Sequence, residues 1–256
     1  MKTLHNSIVL FIMICVIGCT SRPSVPAGVN NYSKSSSRPA TIGNVSTKRP
    51  QLPVGQSTRG TVPKATKSNN ILTGQEIFKR CNTAVFMIFT STGYEEYQGS
   101  GFFISSNGLA VSNYHVFEGT GMGLETIKLV DNTQLKLDEV IYKDKDNDLM
   151  IFTVDLPIGY KCNYIPISNR TPQVGDKAYA IGSPLGLENT FSSGEISQLR
   201  DSHIIQISVP IDHGSSGGAL INEYGEAIGV TCAGLDNSGA NLNFAISTDV
   251  IKRFVR

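Results

Sequence analysis

The stretch Val209-Pro210-Ile211-Asp212-His213-Gly214-Ser215-Ser216-Gly217-Gly218-Ala219-Leu220-Ile221-Asn222 decides how the rest of the chain is read. At its centre Gly214-Ser215-Ser216-Gly217-Gly218 forms a turn between two apolar runs. A serine hydroxyl is a poor nucleophile near neutral pH unless a neighbouring base takes its proton. The flanking glycines let the backbone bend sharply, so the N–H groups of Gly214 and Ser216 can converge on one spot, as an oxyanion hole requires. Glycine and serine are common in turns, so the motif gains meaning only if a base lies elsewhere in the chain.

Outward from this turn, the chain from Ala84 onward alternates short Ile-, Val-, Phe- and Thr-rich runs with Gly, Asn, Asp or Pro. The pattern predicts strands near 84–90, 99–104, 109–113, 126–131, 134–142 and 149–154. A second set is predicted near 177–182, 191–199, 203–209, 217–222, 226–232 and 242–246. Six and six, with 155–176 as connector, predicts an all-β fold of two tandem six-stranded antiparallel barrels. Thr73-x-x-Glu76 ahead of Ile77 and Phe78 is a capping box, so a short helix should open the domain. The amphipathic stretch Thr248–Val255 should form a short helix that closes it.

Two further segments supply the partners that Ser216 needs. In Val111-Ser112-Asn113-Tyr114-His115-Val116 a strand delivers a histidine at its end, and histidine is the side chain best poised as a general base near pH 7. In Asp146-Asn147-Asp148-Leu149-Met150-Ile151-Phe152 an acid precedes a wholly apolar strand. Asp148 can therefore sit at a buried edge and hold an imidazole in the correct tautomer. Asp144 and Asp146 are alternatives for that role, but Lys143 and Lys145 beside them mark a solvated loop.

The order His115, Asp148, Ser216 is that of the chymotrypsin-type proteases, with the base and acid in the first barrel and the nucleophile in the second. The domain resembles that family, and within it the bacterial Deg/HtrA branch. Further matches are Gly99-Ser100-Gly101-Phe102-Phe103-Ile104, Ile181-Gly182-Ser183-Pro184-Leu185-Gly186 and Gly194-Glu195-Ile196-Ser197. Gly225-Glu226-Ala227-Ile228-Gly229-Val230 and Asn243-Phe244-Ala245-Ile246-Ser247 continue the series, so the resemblance spans about residues 77–255. It implies a serine endopeptidase with His115, Asp148 and Ser216 as catalytic residues and Gly214 and Ser216 as oxyanion donors, acting on protein or peptide substrates without cofactor or metal. It also implies a first substrate pocket lined by Ile211, Thr231, Cys232 and Ala233, with Asp212 pointing elsewhere. Such a pocket suits small apolar residues.

Two departures accompany the resemblance. The Deg/HtrA proteins usually carry PDZ domains after the protease, whereas this sequence stops at Arg256, so PDZ-borne regulation is not expected. Ser215 precedes the nucleophile where the digestive enzymes have Asp, so activation by an ion pair to a newly cut N-terminus is not expected either. Deg/HtrA relatives are often trimers through N-terminal contacts; the tail here differs in composition, and homo-oligomerisation stays open.

His115 as a core histidine and Ser216 as a plain turn serine would leave a catalytically inactive, protease-fold binding module. An esterase would need G-x-S-x-G on a strand-to-helix turn, which is absent. Asp144-x-Asp146-x-Asp148 lacks the glycine and glutamate of a calcium loop, since Leu149 and Asp155 stand there. Gly119-Thr120-Gly121-Met122-Gly123 lacks a following Lys-Ser/Thr, so it reads as a loop. His203 and His213 match no catalytic position.

The N-terminal third has a different character. Lys2 and His5 precede an apolar run from Ile8 to Ile17, too short to span a bilayer. Val16-Ile17-Gly18-Cys19 follows and resembles the lipobox of bacterial lipoproteins. Residues 1–18 are thus expected to be a lipoprotein signal peptide, with Cys19 the lipidated first residue. Residues 19–70 contain six prolines and many Ser and Thr, and should be a disordered tether ahead of a domain at 71–256. Residues 20–75 carry eight basic and no acidic side chains, while residues 76–256 carry 13 basic and 21 acidic. A net charge of +1 therefore hides a basic tail on an acidic domain, which argues against nucleic acid as a partner. The expected location is the bacterial envelope, lipid-anchored on the periplasmic face of the outer membrane, since Thr20 is not an acidic retention signal. Cys81, Cys162 and Cys232 remain in the domain, allowing at most one internal disulfide.

Overall fold

A computed structural model describes residues 70–121, 123–183, 189–200, 203–212, 214–232 and 242–254. The expected signal peptide (1–18), Cys19, the expected tether up to residue 69, His213 and Ala233 lie outside the described residues. Thr73 caps helix α1 (Gly74–Cys81) through the predicted box: its hydroxyl accepts the Glu76 N–H at 3.3 Å, and the Glu76 carboxylate accepts the Thr73 N–H at 2.8 Å. Ile77 and Cys81, one turn apart, are the buried residues of this helix.

The first sheet contains β1 (Val85–Ser91), β2 (Glu96–Phe103), β3 (Leu109–Ser112), β4 (Thr126–Lys128), β5 (Gln134–Leu135), β6 (Leu137–Asp144) and β7 (Leu149–Val154). Their spatial order is β5-β4-β1-β2-β3-β7-β6, antiparallel throughout. The run read from sequence as one strand at 134–142 is two, broken at Lys136, so this half has seven strands and its hydrogen bonding is not closed. The break has a geometric cause. β5 and β6 are separated by one residue yet occupy opposite edges, so the sheet curls until its edges meet at Lys136. That corner is tied down by the Lys136 ammonium, which donates to the carbonyls of Glu125 and Gly123, and by the Lys136 carbonyl, which accepts the Asp155 N–H at 2.9 Å.

The second half is a closed six-stranded barrel as predicted. Its strands are β8 (Lys177–Gly182), β9 (Thr190–Arg200), β10 (Ile204–Ile207), β11 (Ala219–Asn222), β12 (Ala227–Cys232) and β13 (Asn243–Ser247), in the order β10-β13-β12-β11-β8-β9. Helix α2 (Thr248–Ile251) follows, capped by the Ser247 hydroxyl, and is shorter than the sequence pattern suggested.

Several strands are buried on both faces because each side packs in a different core. On β7, Leu149 and Ile151 join the core between the two halves, while Met150, Phe152 and Val154 fill the first. On β11, Ala219 and Ile221 face the shared core and Leu220 the interior of the second barrel. Period-two alternation is therefore present in the fold but reads in sequence as continuous apolar runs. Cys81, Cys162 and Cys232 are all buried, and no disulfide joins them to one another. Burial pushes the Cys81 thiol up to about 11.

Candidate active site

His115 begins a short 3₁₀ turn (His115–Phe117) just after β3, and Asp148 immediately precedes β7, the strand paired with β3. This pairing brings the two together. The Asp148 Oδ2 lies 2.8 Å from His115 Nδ1, and its Oδ1 accepts the His115 backbone N–H at 2.9 Å. Asp148 is buried, at 3% exposure, and adopts a left-handed φ of 49°. Its carbonyl accepts a hydrogen bond from the Asn113 side-chain amide at 3.0 Å, which helps hold that conformation. Asp144, the alternative acid, caps its own turn instead: its Oδ1 accepts the N–H groups of Asp146 and Asn147 at 3.0 Å.

Burial opposes the imidazolium form of His115, but the Asp148 carboxylate outweighs it, with a smaller contribution from Glu118. The His115 pKa is raised above the ordinary histidine value as a result. Glu118 is itself paired with Lys145 at 2.6 Å.

Ser216 reaches the same seam from the second half. Gly99 on β2 shows how close the approach is: a Cβ there would stand 2.6 Å from Val116 Cγ2 and 3.2 Å from the Ser216 carbonyl. The Ser216 carbonyl accepts the Ser100 N–H at 2.7 Å, so β2 binds the nucleophile turn directly to the strand that faces the histidine turn. Ser216 and His115 share no direct hydrogen bond among the described residues; such bonds are commonly long before substrate binds. Gly217, with φ 88°, presses its Cα against the Ser100 carbonyl and the Ser112 hydroxyl, leaving no room for a Cβ. Gly214, with φ 93°, is also left-handed. Ser215 N–H donates to the Asp212 carbonyl, Gly217 N–H to Thr231 and Gly218 N–H to Ser215. The N–H groups of Gly214 and Ser216 are left without a protein acceptor among the described residues. Two free amides beside a serine are what a developing oxyanion needs.

The predicted pocket residues separate. Ile211 and Thr231 line a cleft of about 20 Å³ that also meets Pro210, Asp212, Ser215, Thr190 and Ser192. Asp212, expected to point elsewhere, contributes to this lining, because the turn closed by its carbonyl and the Ser215 N–H folds it back over the cleft. Thr231 is 1% exposed, with its hydroxyl donated to the Ser215 carbonyl at 2.7 Å. Cys232 packs in the core between the two halves. In the sequence Ser100 stands only as part of the Gly99–Ile104 motif and Asn113 only as a neighbour of His115. The signal for both was polar residues inside otherwise apolar strand segments, where a hydrogen-bonding duty is expected.

With this geometry in place, the comparisons with known proteins converge. Residues 99–230 match the trypsin-like peptidase domain model, and the chain belongs to that family. It is 32% identical over 217 residues to "Protease Do-like 5, chloroplastic" of Arabidopsis thaliana, covering 76% of this chain and 62% of that protein. It is 34% identical over 169 residues to a "Probable periplasmic serine endoprotease DegP-like" of Rhizobium meliloti, covering 62% of this chain and 32% of that one. The serine endoprotease from Yersinia pestis superposes with a TM-score of 0.64 at 26% identity, covering 72% of this chain and 67% of that one. The domain is thus similar to Do-like and DegP-like proteases, and the chain spans less than two thirds of the length of these curated relatives.

Proposed function

We propose that this protein is a membrane-tethered serine endopeptidase that hydrolyses peptide bonds of unfolded or envelope proteins. Ser216 Oγ attacks the scissile carbonyl, and His115 Nε2 takes its proton and later returns it to the leaving amine. Asp148 holds the imidazole with Nδ1 protonated, and the Gly214 and Ser216 amides receive the oxyanion. The observation that carries this reading is the two-point grip of the Asp148 carboxylate on His115, next to a serine turn with two amides that have no acceptor among the described residues. Asp148 leaves only Nε2 of the ring to face the serine.

Tethering rests on the lipobox-like Val16-Ile17-Gly18-Cys19 and the basic Pro/Ser/Thr-rich segment after it. Two or more acyl chains on Cys19 would anchor the chain durably, and the positive tail would lie against anionic headgroups. The DegP-like relatives named as periplasmic support an envelope location, here assigned to the outer membrane. Substrate preference follows from the cleft beside Ile211 and Pro210. Asp212 is solvent-exposed, so no buried acid awaits a cationic side chain, and small aliphatic residues before the scissile bond are favoured.

The decisive experiment is labelling by a fluorophosphonate probe, with casein hydrolysis in parallel. Wild-type protein should be labelled at Ser216 and should cut after Val, Ala or Leu, while Ser216→Ala should do neither. Wild-type protein inert to probe and substrate would leave the protease fold as a binding module. Cutting mainly after Arg, Lys or Glu would refute the assigned pocket.

A further inference from the structure

Three consecutive peptide groups run through the turn that carries Ser216, and each is pinned differently. In the Gly214–Ser215 peptide, the carbonyl accepts the Ser100 hydroxyl at 2.7 Å and the N–H donates to Asp212 at 3.0 Å. In the Ser216–Gly217 peptide, the carbonyl accepts the Ser100 N–H at 2.7 Å and the N–H donates to Thr231 at 2.8 Å. The middle peptide is held at one end only. Its Ser215 carbonyl accepts both the Thr231 hydroxyl at 2.7 Å and the Gly218 N–H at 2.9 Å, while its Ser216 N–H has no acceptor among the described residues. The C=O and N–H of a trans peptide point in opposite directions. Drawing the Ser215 carbonyl inward therefore turns the Ser216 amide outward.

Both hydroxyls in this arrangement are buried and committed. Ser100 is 0% exposed, and its Oγ accepts the Ser183 N–H at 2.9 Å while its own hydrogen goes to Gly214. The backbone of Thr231 is paired with the turn on both sides, to Gly217 and Gly218, so its hydroxyl is delivered from a fixed point. A β-branched side chain restricts the rotamer further. Packing alone does not require a hydroxyl at either place; a valine would fill the Thr231 site equally well. One hydroxyl comes from the first half and one from the second.

We propose that Ser100 and Thr231 are a pair of positioning residues that clamp the 214–217 turn from opposite halves and aim the Ser216 amide at the reacting carbonyl. The inference rests on the proposed role of the Gly214 and Ser216 amides as oxyanion donors. Ser100 lies away from the cleft, and Thr231, at its wall, is 1% exposed with its hydroxyl turned to the Ser215 carbonyl; both act through the backbone of the turn.

The test uses the full chain with Thr231→Val, Thr231→Ser and Ser100→Ala. It reads kcat and KM on a peptide with a small aliphatic residue before the scissile bond, melting temperature, and the ¹⁵N–¹H resonances of Gly214 and Ser216. Losing one oxyanion donor outright costs 10²–10³ in rate, so a mis-aimed amide should cost about 10- to 100-fold in kcat. KM should stay within about twofold, the split expected for an interaction made only in the transition state. Thr231→Ser should restore kcat and the amide resonances, because it returns the hydroxyl without the methyl. Wild-type kcat with unmoved amides in both Thr231→Val and Ser100→Ala would overturn the clamp while leaving the protease assignment intact. Should wild-type protein prove inert to fluorophosphonate, the protease assignment fails and the resonances decide. Shifts in Thr231→Val reversed in Thr231→Ser would support the clamp, and unchanged resonances would overturn it.

Discussion

Asp148 grips His115 twice, its Oδ2 lying 2.8 Å from the ring Nδ1 and its Oδ1 accepting the backbone N–H of the same residue at 2.9 Å. One carboxylate thus fixes both where the imidazole begins and how it is turned. The acid holds a left-handed φ to do so, a conformation that Asp and Asn tolerate better than most residues.

Asp148→Asn should therefore preserve the fold while losing activity. The asparagine keeps an acceptor for the backbone N–H and tolerates the same φ, but its amide nitrogen can face Nδ1 and impose the wrong tautomer. We expect kcat to fall by roughly 10⁴ with little change in melting temperature. Asp148→Ala should fall as far and also melt lower, since it loses the backbone bond and meets strain at φ 49°. Near-wild-type turnover in Asp148→Asn would remove Asp148 from the proposed triad.

The raised pKa of His115 gives activity and stability opposite pH dependences. Burial works against the charged ring, but Asp148 and then Glu118 more than offset it. As a general base His115 must be neutral, so kcat/KM should decline as pH falls through a value above the ordinary ~6.5. The pair's contribution to stability is fully present below ~6.5 and is lost as pH rises through the folded-state pKa. His115→Asn should then lower the melting temperature more at acid pH than at alkaline pH. A gap that widens with rising pH would contradict this assignment of charge.

Gly217→Ala tests the seam between the halves. The new methyl would meet the Ser100 carbonyl and the Ser112 hydroxyl at a φ of 88°. Backbone is the obstacle, so it cannot swing aside. Strain and overpacking together should cost about 2–4 kcal/mol, read by urea denaturation, and activity should fall with it. A variant as stable as wild type would mean that the 214–218 turn does not sit against β2 as described.

Cys19→Ala tests the tether independently of the chemistry. It should shift the protein from the detergent-extracted membrane fraction to the soluble fraction, with hydrolysis of soluble substrates unchanged. Unaltered membrane association, or an intact mass showing processing elsewhere, would dispose of the lipid anchor.

Sequence by itself determined the fold class and offered the candidate positions for the chemistry. His115, Asp148 and Ser216 each sit where an apolar strand run meets a turn, and that local pattern survives without knowledge of any long-range contact. Strand existence was equally legible, because Ile-, Val- and Phe-rich runs bounded by turn residues are a short-range signal. The corner at Lys136 was not: it exists because β5 and β6 must join opposite edges of one curled sheet, a demand of closure rather than of local composition. Nor could sequence say which carboxylate meets the histidine without weighing neighbours; Asp144 and Asp148 are four residues apart, and only the pairing of β3 with β7 selects between them. The duties of Ser100 and Thr231 were hidden for the same reason. Each hydroxyl reaches a carbonyl far along the chain, and a hydrogen bond between elements distant in sequence leaves no periodic trace in either. The aim of the Ser216 amide is the furthest removed from sequence of all, since it follows from which carbonyls are held on each side of a planar peptide, and tertiary packing alone decides that.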